Sequence, residues 1–244
     1  DGIISDNRFG LFHKNIPSVF ITHQLRIKSP CFEGLIQKIN YIFINKFSEC
    51  WIIDNKRNGL AGDLSSPRKM PHNYKYIGVH SRFNMSNRSK KYDFLAILSG
   101  PEPQRTVLEK IIIQEFCERK ERSIIIQGKT EEESACSIGN CQIISSASSE
   151  NINKYILDSK IIFSRSGYST IMDLSKLGAK AILIPTEGQT EQEYLAKSLK
   201  ENKICFSESQ KKFDLATAIK EHGNYSGFTS YKQKVDWKKL FGLF

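Results

Sequence analysis

Short apolar runs alternate with amphipathic stretches along most of the chain. From Tyr92 onward, runs without polar alternation predict strands that are buried on both faces, as in a parallel sheet. These runs are YDFLAILS, SIIIQG, CQIIS, KIIFS, AKAILIP and KICFS. The intervening stretches predict helices over RTVLEKIIIQEFCER, SENINKYILDS, STIMDLSKL, TEQEYLAKSLKEN and KKFDLATAIKEH. This alternation predicts right-handed strand–helix–strand units in a doubly wound α/β fold.

The first part of the chain has the same character. It predicts strands at GIISD, PSVFITH and ECWIID and a helix at LIQKINYIFINKF. A segment rich in Asn, Lys, Pro and Ser then precedes Tyr92, so we expect a domain boundary near residues 78–92. The polar stretch KTEEESACSIGN, residues 129–140, predicts a loop.

These patterns predict two domains. Residues 1–80 form part of an N-terminal domain, and residues 81–230 form a C-terminal α/β domain. Residues 231–244, YKQKVDWKKLFGLF, predict a basic amphipathic helix that packs back across both domains. Because the sequence starts at Asp1 and enters an apolar run at once, we expect that it starts inside a domain and that an N-terminal part is missing.

The composition indicates an anionic binding partner but does not identify its class. The net charge is +10 and the isoelectric point is about 9.2, which favours nucleic acid, a phosphorylated ligand or an anionic membrane surface. No apolar run approaches the length of a transmembrane helix, and no signal peptide is visible. The spacing of the six cysteines matches no zinc motif, so we interpret them as reduced, mostly structural thiols of a cytosolic protein.

Three polar loops follow predicted strands, where ligands bind in open α/β sheets. The first is SGPEPQR, residues 99–105, in which Ser99 and Gly100 directly follow the strand. Backbone N–H groups there can face an anion at the start of the next helix. The same residues also suit an ordinary turn, and the loop is neither a P-loop nor a GxGxxG motif.

The second loop is RSGYSTIMDL, residues 165–174. Ser166, Ser169 and Thr170 can cap the following helix, and Gly167 permits close approach of a ligand. The helix N-terminus favours phosphate, and Asp173 lies one turn further on, where its carboxylate can accept two hydrogen bonds from a ribose diol. The alternative is that Asp173 only offsets the helix dipole.

The third loop is PTEGQTEQEYLA, residues 185–196, with Gly188 and Gln189 at its centre. Thr190 and Glu193 have the spacing of a capping box. Alternatively, Gln192 and Glu193 present amide and carboxylate groups to sugar hydroxyls. All three loops are expected at one sheet edge, and together they carry groups for a diphosphate, a ribose and a sugar.

With these motifs, the C-terminal two-thirds of the chain resembles family-28 glycosyltransferases of the GT-B fold, in particular the C-terminal domain of the peptidoglycan members that transfer N-acetylglucosamine from UDP. The signature of a strand, Arg-Ser-Gly and an acidic helix is matched by Arg165, Ser166, Gly167, Thr170 and Asp173. The resemblance implies that Asp173 binds the ribose of UDP. We also expect Arg165 to help offset the charge of the leaving diphosphate.

The resemblance extends to the other two loops. Gln192 and Glu193 match a Gln-Gln pair that contacts the donor sugar, and the change to Glu leaves the sugar open. The first loop departs from the family's Gly-Gly-Ser pattern, so its correspondence is weaker. Its residues near the phosphates are Ser99, Gly100, Gln104 and Arg105. The uracil pocket is expected near Ala147–Ser149.

Residues 1–80 then resemble the last strands of the other GT-B domain, so the resemblance implies a partial, acceptor-side Rossmann-like domain there and a Rossmann-like, nucleotide-sugar-binding domain over residues 81–230. His23 and Gln24 stand where such enzymes place a His-Glu pair, and His23 is expected to contact acceptor or donor unless it is structural. The catalytic base is expected before Asp1. The helix LIQKINYIFINKF, preceded by RIKSP, has basic residues around an apolar face. It contacts either anionic lipid headgroups or the protein core.

Peripheral contact with the inner face of the membrane is one of the two interpretations left open for the helix LIQKINYIFINKF. The resemblance therefore implies a cytoplasmic glycosyltransferase. It transfers a sugar from a UDP-sugar to a lipid-linked or saccharide acceptor, with inversion. No cofactor or metal is expected, since there is no DxD motif and no His/Cys cluster. Two alternatives are a UDP-sugar epimerase or hydrolase of the same fold, and a donor-binding subunit that is inactive without a partner chain. Nucleic acid is not expected as a partner, because no RNP motif, zinc finger or recognition helix appears.

Overall fold

The chain forms two compact units in a computed structural model, which describes residues 1–29, 31–131, 133–230 and 235–244. The first unit comprises residues 1–80 together with the described C-terminal residues 235–244. The second unit begins at Ser81 and includes the described residues up to Ser230. Each unit is built around its own parallel sheet.

The first unit has a four-stranded sheet in the order β1-β2-β3-β4, and every neighbouring pair is parallel. Its strands and helices are β1 (Ile3–Asp6), β2 (Ser18–Thr22), α1 (Glu33–Ile44), β3 (Glu49–Ile52), β4 (Tyr74–Tyr76) and the C-terminal α7 (Trp237–Phe241). Trp51 of β3 is buried and packs edge-on against Phe241, with ring centroids 5.8 Å apart. The C-terminal helix thus belongs to the core of the first unit.

The second unit has a seven-stranded sheet in the order β11-β10-β9-β5-β6-β8-β7. All neighbouring strands are parallel except β7 and β8, which form an antiparallel pair. The strands are β5 (Tyr92–Ile97), β6 (Ser123–Ile126), β7 (Ala135–Ile138), β8 (Cys141–Ile144), β9 (Ser159–Ser164), β10 (Ala181–Leu183) and β11 (Phe206–Ser207). The helices are α2 (Gln104–Cys117), α3 (Ser149–Asp158), α4 (Tyr168–Lys176), α5 (Thr190–Glu201) and α6 (Leu215–His222).

Both faces of this sheet are covered. On one face, Ala96 of β5 lies beside Ile125 of β6 and Phe163 of β9, and all three belong to a buried core with residues of α2 and α6. On the other face, the neighbouring residues Leu95 and Ile124 are also fully buried. Burial on both faces explains the continuous apolar runs. The prediction of a doubly wound, parallel α/β fold is confirmed.

Three sequence predictions need correction, and one strand was not predicted. The loop predicted over residues 129–140 contains β7, and the polar segment before residue 78 contains the unpredicted β4. The helix predicted from residue 211 is a short 3-10 turn, Gln210–Lys212, followed by α6. The C-terminal helix is shorter than predicted, since α7 covers only Trp237–Phe241, and residues 231–234 of that prediction lie outside the described residues.

Candidate functional site

Three neighbouring strands of the second unit end at one level. Ser164, the last residue of β9, pairs with Ile97 at the end of β5 and with Leu183 at the end of β10. Because these strands are parallel, the loops that follow them leave the same edge of the sheet. The structure therefore brings the three polar loops of the sequence together.

Arg165 is a buried hub between these loops. Its side chain is 1% exposed. Nη1 donates to the carbonyl oxygens of Ile184 and Pro185, both at 3.2 Å. Nη2 donates to the carbonyl oxygen of Gln104 at 2.8 Å and to Oε1 of Gln210 at 2.6 Å. One guanidinium thus ties the start of α2 to the loop after β10.

The expectation that Arg165 offsets the charge of a leaving diphosphate stays a prediction, and the structure shows what its side chain contacts. Both Nη atoms already donate to oxygens of the protein, and the side chain lies below the surface. Burial lowers the pKa of Arg165 to about 10, so the guanidinium keeps its charge at neutral pH. Its role is to hold the loops, since carbonyl oxygens without this donor would be left buried and unpaired.

Helix α4 starts differently from the prediction. Its N-cap residue is Gly167, which brings no side chain, so Ser166, Ser169 and Thr170 do not cap it. Ser166 is buried, and its Oγ donates to the carbonyl oxygen of Gln192 at 2.8 Å. Ser169 is exposed in the first turn, and Thr170 is half-buried.

The surface above Gly167 is open. A methyl group added at this residue would meet no atom within 4 Å. The first turn of a helix presents backbone N–H groups and a partial positive charge. This end of α4 thus offers space and donors for an anion at the sheet edge.

Asp173 lies one turn further along α4 and is largely buried. Its Oδ1 accepts a hydrogen bond from Ser81 Oγ at 2.5 Å, and its Oδ2 lies 4.0 Å from Nε of Arg82. Burial raises the pKa of the Asp173 carboxyl, and the hydrogen bond from Ser81 acts in the opposite direction. The carboxylate is therefore held in a fixed orientation near the start of the helix.

The third loop is shaped by the residues that the sequence assigned to the sugar. Gln192 Oε1 accepts from Thr186 N at 3.0 Å, and Gln192 Nε2 donates to Gln189 Oε1 at 2.5 Å. Glu193 Oε1 accepts from Gly188 N at 2.9 Å. Helix α5 begins at Thr190 with Gln189 as its N-cap, so the predicted capping box with Thr190 as N-cap is wrong. Both Gln192 and Glu193 hold the loop in this structure.

The first loop divides into an exposed and an inward part. Ser99 and Gly100 are exposed, and a methyl group at Gly100 would lie 3.6 Å from Thr186 Oγ1 of the third loop. Gln104 Oε1 instead accepts from Gln210 Nε2 at 3.3 Å. Arg105 donates to the carbonyl oxygen of Gln127 at 2.9 Å and forms an ion pair with Glu102. Gln104 and Arg105 thus face protein groups.

The segment assigned to the uracil lines a separate concavity. Ala147 and Ser148 lie on a cavity of about 540 Å³ together with Ser145 after β8 and Tyr155 of α3. Ser148 is the N-cap of α3, and its side chain accepts from Asn151 N at 3.2 Å. The placement of the uracil at this concavity stays a prediction.

His23 and Gln24 belong to the first unit, directly after β2. His23 is half-buried, and the backbone N–H of Gln24 donates to Thr22 Oγ1 at 3.0 Å. Neither residue is part of the loop cluster in the second unit.

Sequence reasoning missed three contributors to the site. Ser81 is 92 positions from Asp173, and Gln210 is 45 positions from Arg165, so no local pattern links either pair. Thr186 is 2% exposed, and among the residues that the structure describes none hydrogen-bonds its Oγ1. The only available signal was the position of Thr186 directly after a proline that ends a strand.

Comparison with known families assigns the second unit. Residues 95–226 match the glycosyltransferase family 28 C-terminal domain, which is more than half of the chain. A comparison with curated protein sequences found no match.

Solved glycosyltransferase structures share the fold. MurG of Acinetobacter baumannii is similar with a TM-score of 0.53 and 12% identity, over 86% of this chain and 60% of MurG. SnogD of Streptomyces nogalater has a TM-score of 0.54 and 11% identity, over 84% of this chain and 58% of SnogD. The spinosyn rhamnosyltransferase SpnG in complex with thymidine diphosphate has a TM-score of 0.53 and 10% identity, over 86% of this chain and 61% of SpnG. The chain thus has the architecture of GT-B glycosyltransferases and spans about three-fifths of their length.

Proposed function

Because the chain belongs to glycosyltransferase family 28, we propose that it acts in the transfer of a sugar from a UDP-sugar to a lipid-linked or saccharide acceptor. One observation carries this proposal. The open first turn of α4 at Gly167 lies less than two helical turns from the fixed carboxylate of Asp173, at the edge where the three loops meet. That arrangement suits a diphosphate beside a ribose.

In the proposed reaction, the residues at this sheet edge stabilise the nucleoside diphosphate as it leaves the sugar. Preorganised N–H donors and a helix dipole lower the energy of the charge that develops as the sugar leaves. The hydrogen bonds of the buried Arg165 hold the three loops in fixed positions. The N–H donors therefore need little rearrangement when the diphosphate leaves. We propose that this stabilisation needs no metal, and we expect turnover to be unchanged by a chelator such as EDTA.

Calorimetric titration of UDP tests the donor site. The wild-type chain should bind UDP, and Asp173→Ala should weaken binding about tenfold or more, because the ribose hydroxyls lose a charged acceptor. Glu201→Ala removes an exposed carboxylate at the far end of α5 and serves as a control that should leave the affinity unchanged. Equal UDP affinity of the wild type and Asp173→Ala would contradict the assignment of Asp173.

Product analysis distinguishes the proposed reaction from its alternatives. Incubation with UDP-sugars and candidate acceptors should give a glycosylated acceptor and UDP. Release of free sugar without an acceptor would instead indicate a hydrolase, and an altered UDP-sugar would indicate an epimerase. UDP binding without turnover until a second chain is supplied would indicate a donor-binding subunit.

We also propose that α1 of the first unit contacts an anionic membrane surface. Leu35, Ile39 and Ile42 form one stripe along the helix and are 56%, 46% and 62% exposed. Lys38 and Lys46 are exposed on the same helix and just beyond it. The opposite side packs inward through Asn40 and Ile44, so the helix has both an inner contact and an apolar outer stripe. Apolar side chains with adjacent lysines favour the surface of a bilayer that contains anionic lipids.

Among the described residues, no helix is long and apolar enough to cross a membrane. The contact proposed for α1 is with the membrane surface. Sedimentation with vesicles of neutral lipid, with and without anionic phospholipid, tests it. The triple variant Leu35→Ser, Ile39→Ser, Ile42→Ser should lose most of its binding to anionic vesicles. The matched control Met85→Ser, Val107→Ser, Ile138→Ser removes equally exposed apolar groups from the second unit and should bind like the wild type. Equal loss in both variants would contradict the role of α1.

A further inference from the structure

Two hydrogen bonds, one to Asp173 and one from the backbone of Phe83, hold the hydroxyl of Ser81 in place. Its Oγ donates to Asp173 Oδ1 at 2.5 Å and accepts from the backbone N–H of Phe83 at 3.0 Å. Phe83 is 2% exposed, so this short segment is anchored in the second unit by a buried ring. The hydroxyl of Ser81 is therefore a permanent neighbour of the carboxylate.

This contact leaves the two oxygens of Asp173 unequal. Oδ1 is already paired with a hydroxyl, whereas Oδ2 lies 4.0 Å from Nε of Arg82, beyond hydrogen-bond distance. The side chain of Arg82 is 61% exposed, and that of Asp173 is 16% exposed. Oδ2 is thus the oxygen better placed to accept a hydrogen bond from a ligand.

We propose that Ser81 is a specificity-determining residue that lets the donor site accept 2′-deoxyribose nucleotides nearly as well as ribose nucleotides. The inference rests on the proposed binding of the donor ribose by Asp173. A carboxylate with two unpaired oxygens takes both hydroxyls of a ribose, and loss of one hydroxyl then leaves a desolvated oxygen without a partner. In this chain the hydroxyl of Ser81 already pairs one oxygen, so a single sugar hydroxyl satisfies the other.

The experiment compares UDP with 2′-deoxyuridine diphosphate by calorimetry on the full chain. For the wild type, the two dissociation constants should agree within about threefold. Ser81→Ala frees Oδ1, so it should prefer UDP about tenfold or more. Ser81→Thr keeps the hydroxyl and should restore the wild-type ratio. Ser226→Ala removes a serine hydroxyl bonded to the carbonyl oxygen of Lys203 elsewhere in the unit and should not change the ratio.

The selectivity ratio separates this role from a structural one, because a variant that only loosens the fold weakens both nucleotides alike. A wild-type preference for UDP of tenfold or more would overturn the inference. So would an unchanged ratio in a folded Ser81→Ala chain. Asp173→Ala with undiminished affinity for both nucleotides would instead refute the proposed ribose contact, and would remove the inference with it.

Discussion

At the scale of single residues, the largest difference between sequence and structure is the role of Arg165. Its guanidinium serves three backbone carbonyls and one amide from inside the protein. We expect Arg165→Met to lower the free energy of unfolding by about 3 kcal/mol, because buried carbonyls lose their charged donor. Urea unfolding measures this loss. Arg119→Met removes a half-buried arginine that pairs only loosely with Glu121, and should cost less than about 1 kcal/mol. Equal losses would contradict the hub role.

Asp173 gives a prediction for pH. Burial raises the pKa of this carboxyl above its ordinary value of 3.8, so the folded chain holds the proton more tightly than the unfolded chain. Its contribution to stability is present below pH 3.8 and is lost as the pH rises through the raised pKa. Asp173→Asn should therefore stabilise the chain at pH 7, and the gain should shrink as the pH falls towards 3.8. Urea unfolding at several pH values measures the difference.

Asp158 provides a matched control of opposite sign. The hydrogen bond from Arg88 lowers the pKa of this buried carboxyl, so its contribution is present above pH 3.8 and is lost as the pH falls through the lowered pKa. Asp158→Asn should destabilise the chain at pH 7, with the loss shrinking only below pH 3.8. Two variants that respond to pH in the same direction would contradict this account.

The residues also show why part of the site was beyond the sequence. Arg165, Gly167 and Asp173 stand in one short motif, so the position of the site could be predicted. The direction of each side chain depends on distant partners. Ser81 approaches Asp173 from 92 positions away, and Gln210 approaches Arg165 from 45. Such contacts cannot be inferred from a local pattern, which predicted where the groups lie but not the partners of Arg165.

At the scale of elements, the strands that are buried on both faces could be predicted because burial on both faces requires a continuous run of apolar residues. Two strands lack that signal. β7 is exposed along its length at the sheet edge, and β4 is a short, mostly exposed Tyr-Lys-Tyr segment. Backbone pairing with a neighbouring strand forms each of them: β7 pairs with β8, and β4 pairs with β3. Pairing of this kind depends on the partner strand more than on the strand's own side chains.

Two glycines that follow strands give a matched prediction. Gly128 follows β6 with φ +71°, and a methyl group there would lie 2.5 Å from the carbonyl oxygen of Leu98. Gly128→Ala should therefore cost about 2 kcal/mol or more of unfolding free energy. Gly167→Ala meets no atom and has φ −67°, so it should cost no more than about 1 kcal/mol.

The two glycine substitutions should affect nucleotide binding in the opposite order to their effect on stability. A methyl group at Gly167 occupies the open space above the first turn of α4, so Gly167→Ala should weaken UDP binding although the fold is kept. Gly128→Ala should bind UDP with wild-type affinity under conditions where it is folded. Calorimetry and urea unfolding on the same two proteins measure both effects. If Gly167→Ala bound UDP as tightly as the wild type, the helix start would not be the phosphate site.

At the scale of the whole molecule, the C-terminal residues 235–244 belong to the first unit, although the second unit lies between them and residues 1–80 in the sequence. Leu240 and Leu243 pack against a buried cluster of Val19, Trp51 and Ile77. A methyl group at Gly2 would overlap the ring of Phe244, so the last residue also lies directly against the first strand. The first unit therefore depends on residues that follow the second unit in the sequence.

A chain that ends at residue 234 should expose this cluster. Loss of the apolar contacts of α7 should cost the first unit on the order of 3 kcal/mol, and the emission of Trp51 should shift to longer wavelength. Trp237 is the second of two tryptophans and is lost in the truncation, so full-length Trp237→Phe supplies the reference spectrum of Trp51 alone. UDP binding should persist in the truncated chain, because the three loops lie in the second unit. Identical spectra of the truncated and reference chains would contradict the packing of α7 on Trp51. Loss of UDP binding with an intact second unit would show that the donor site depends on the C-terminal segment.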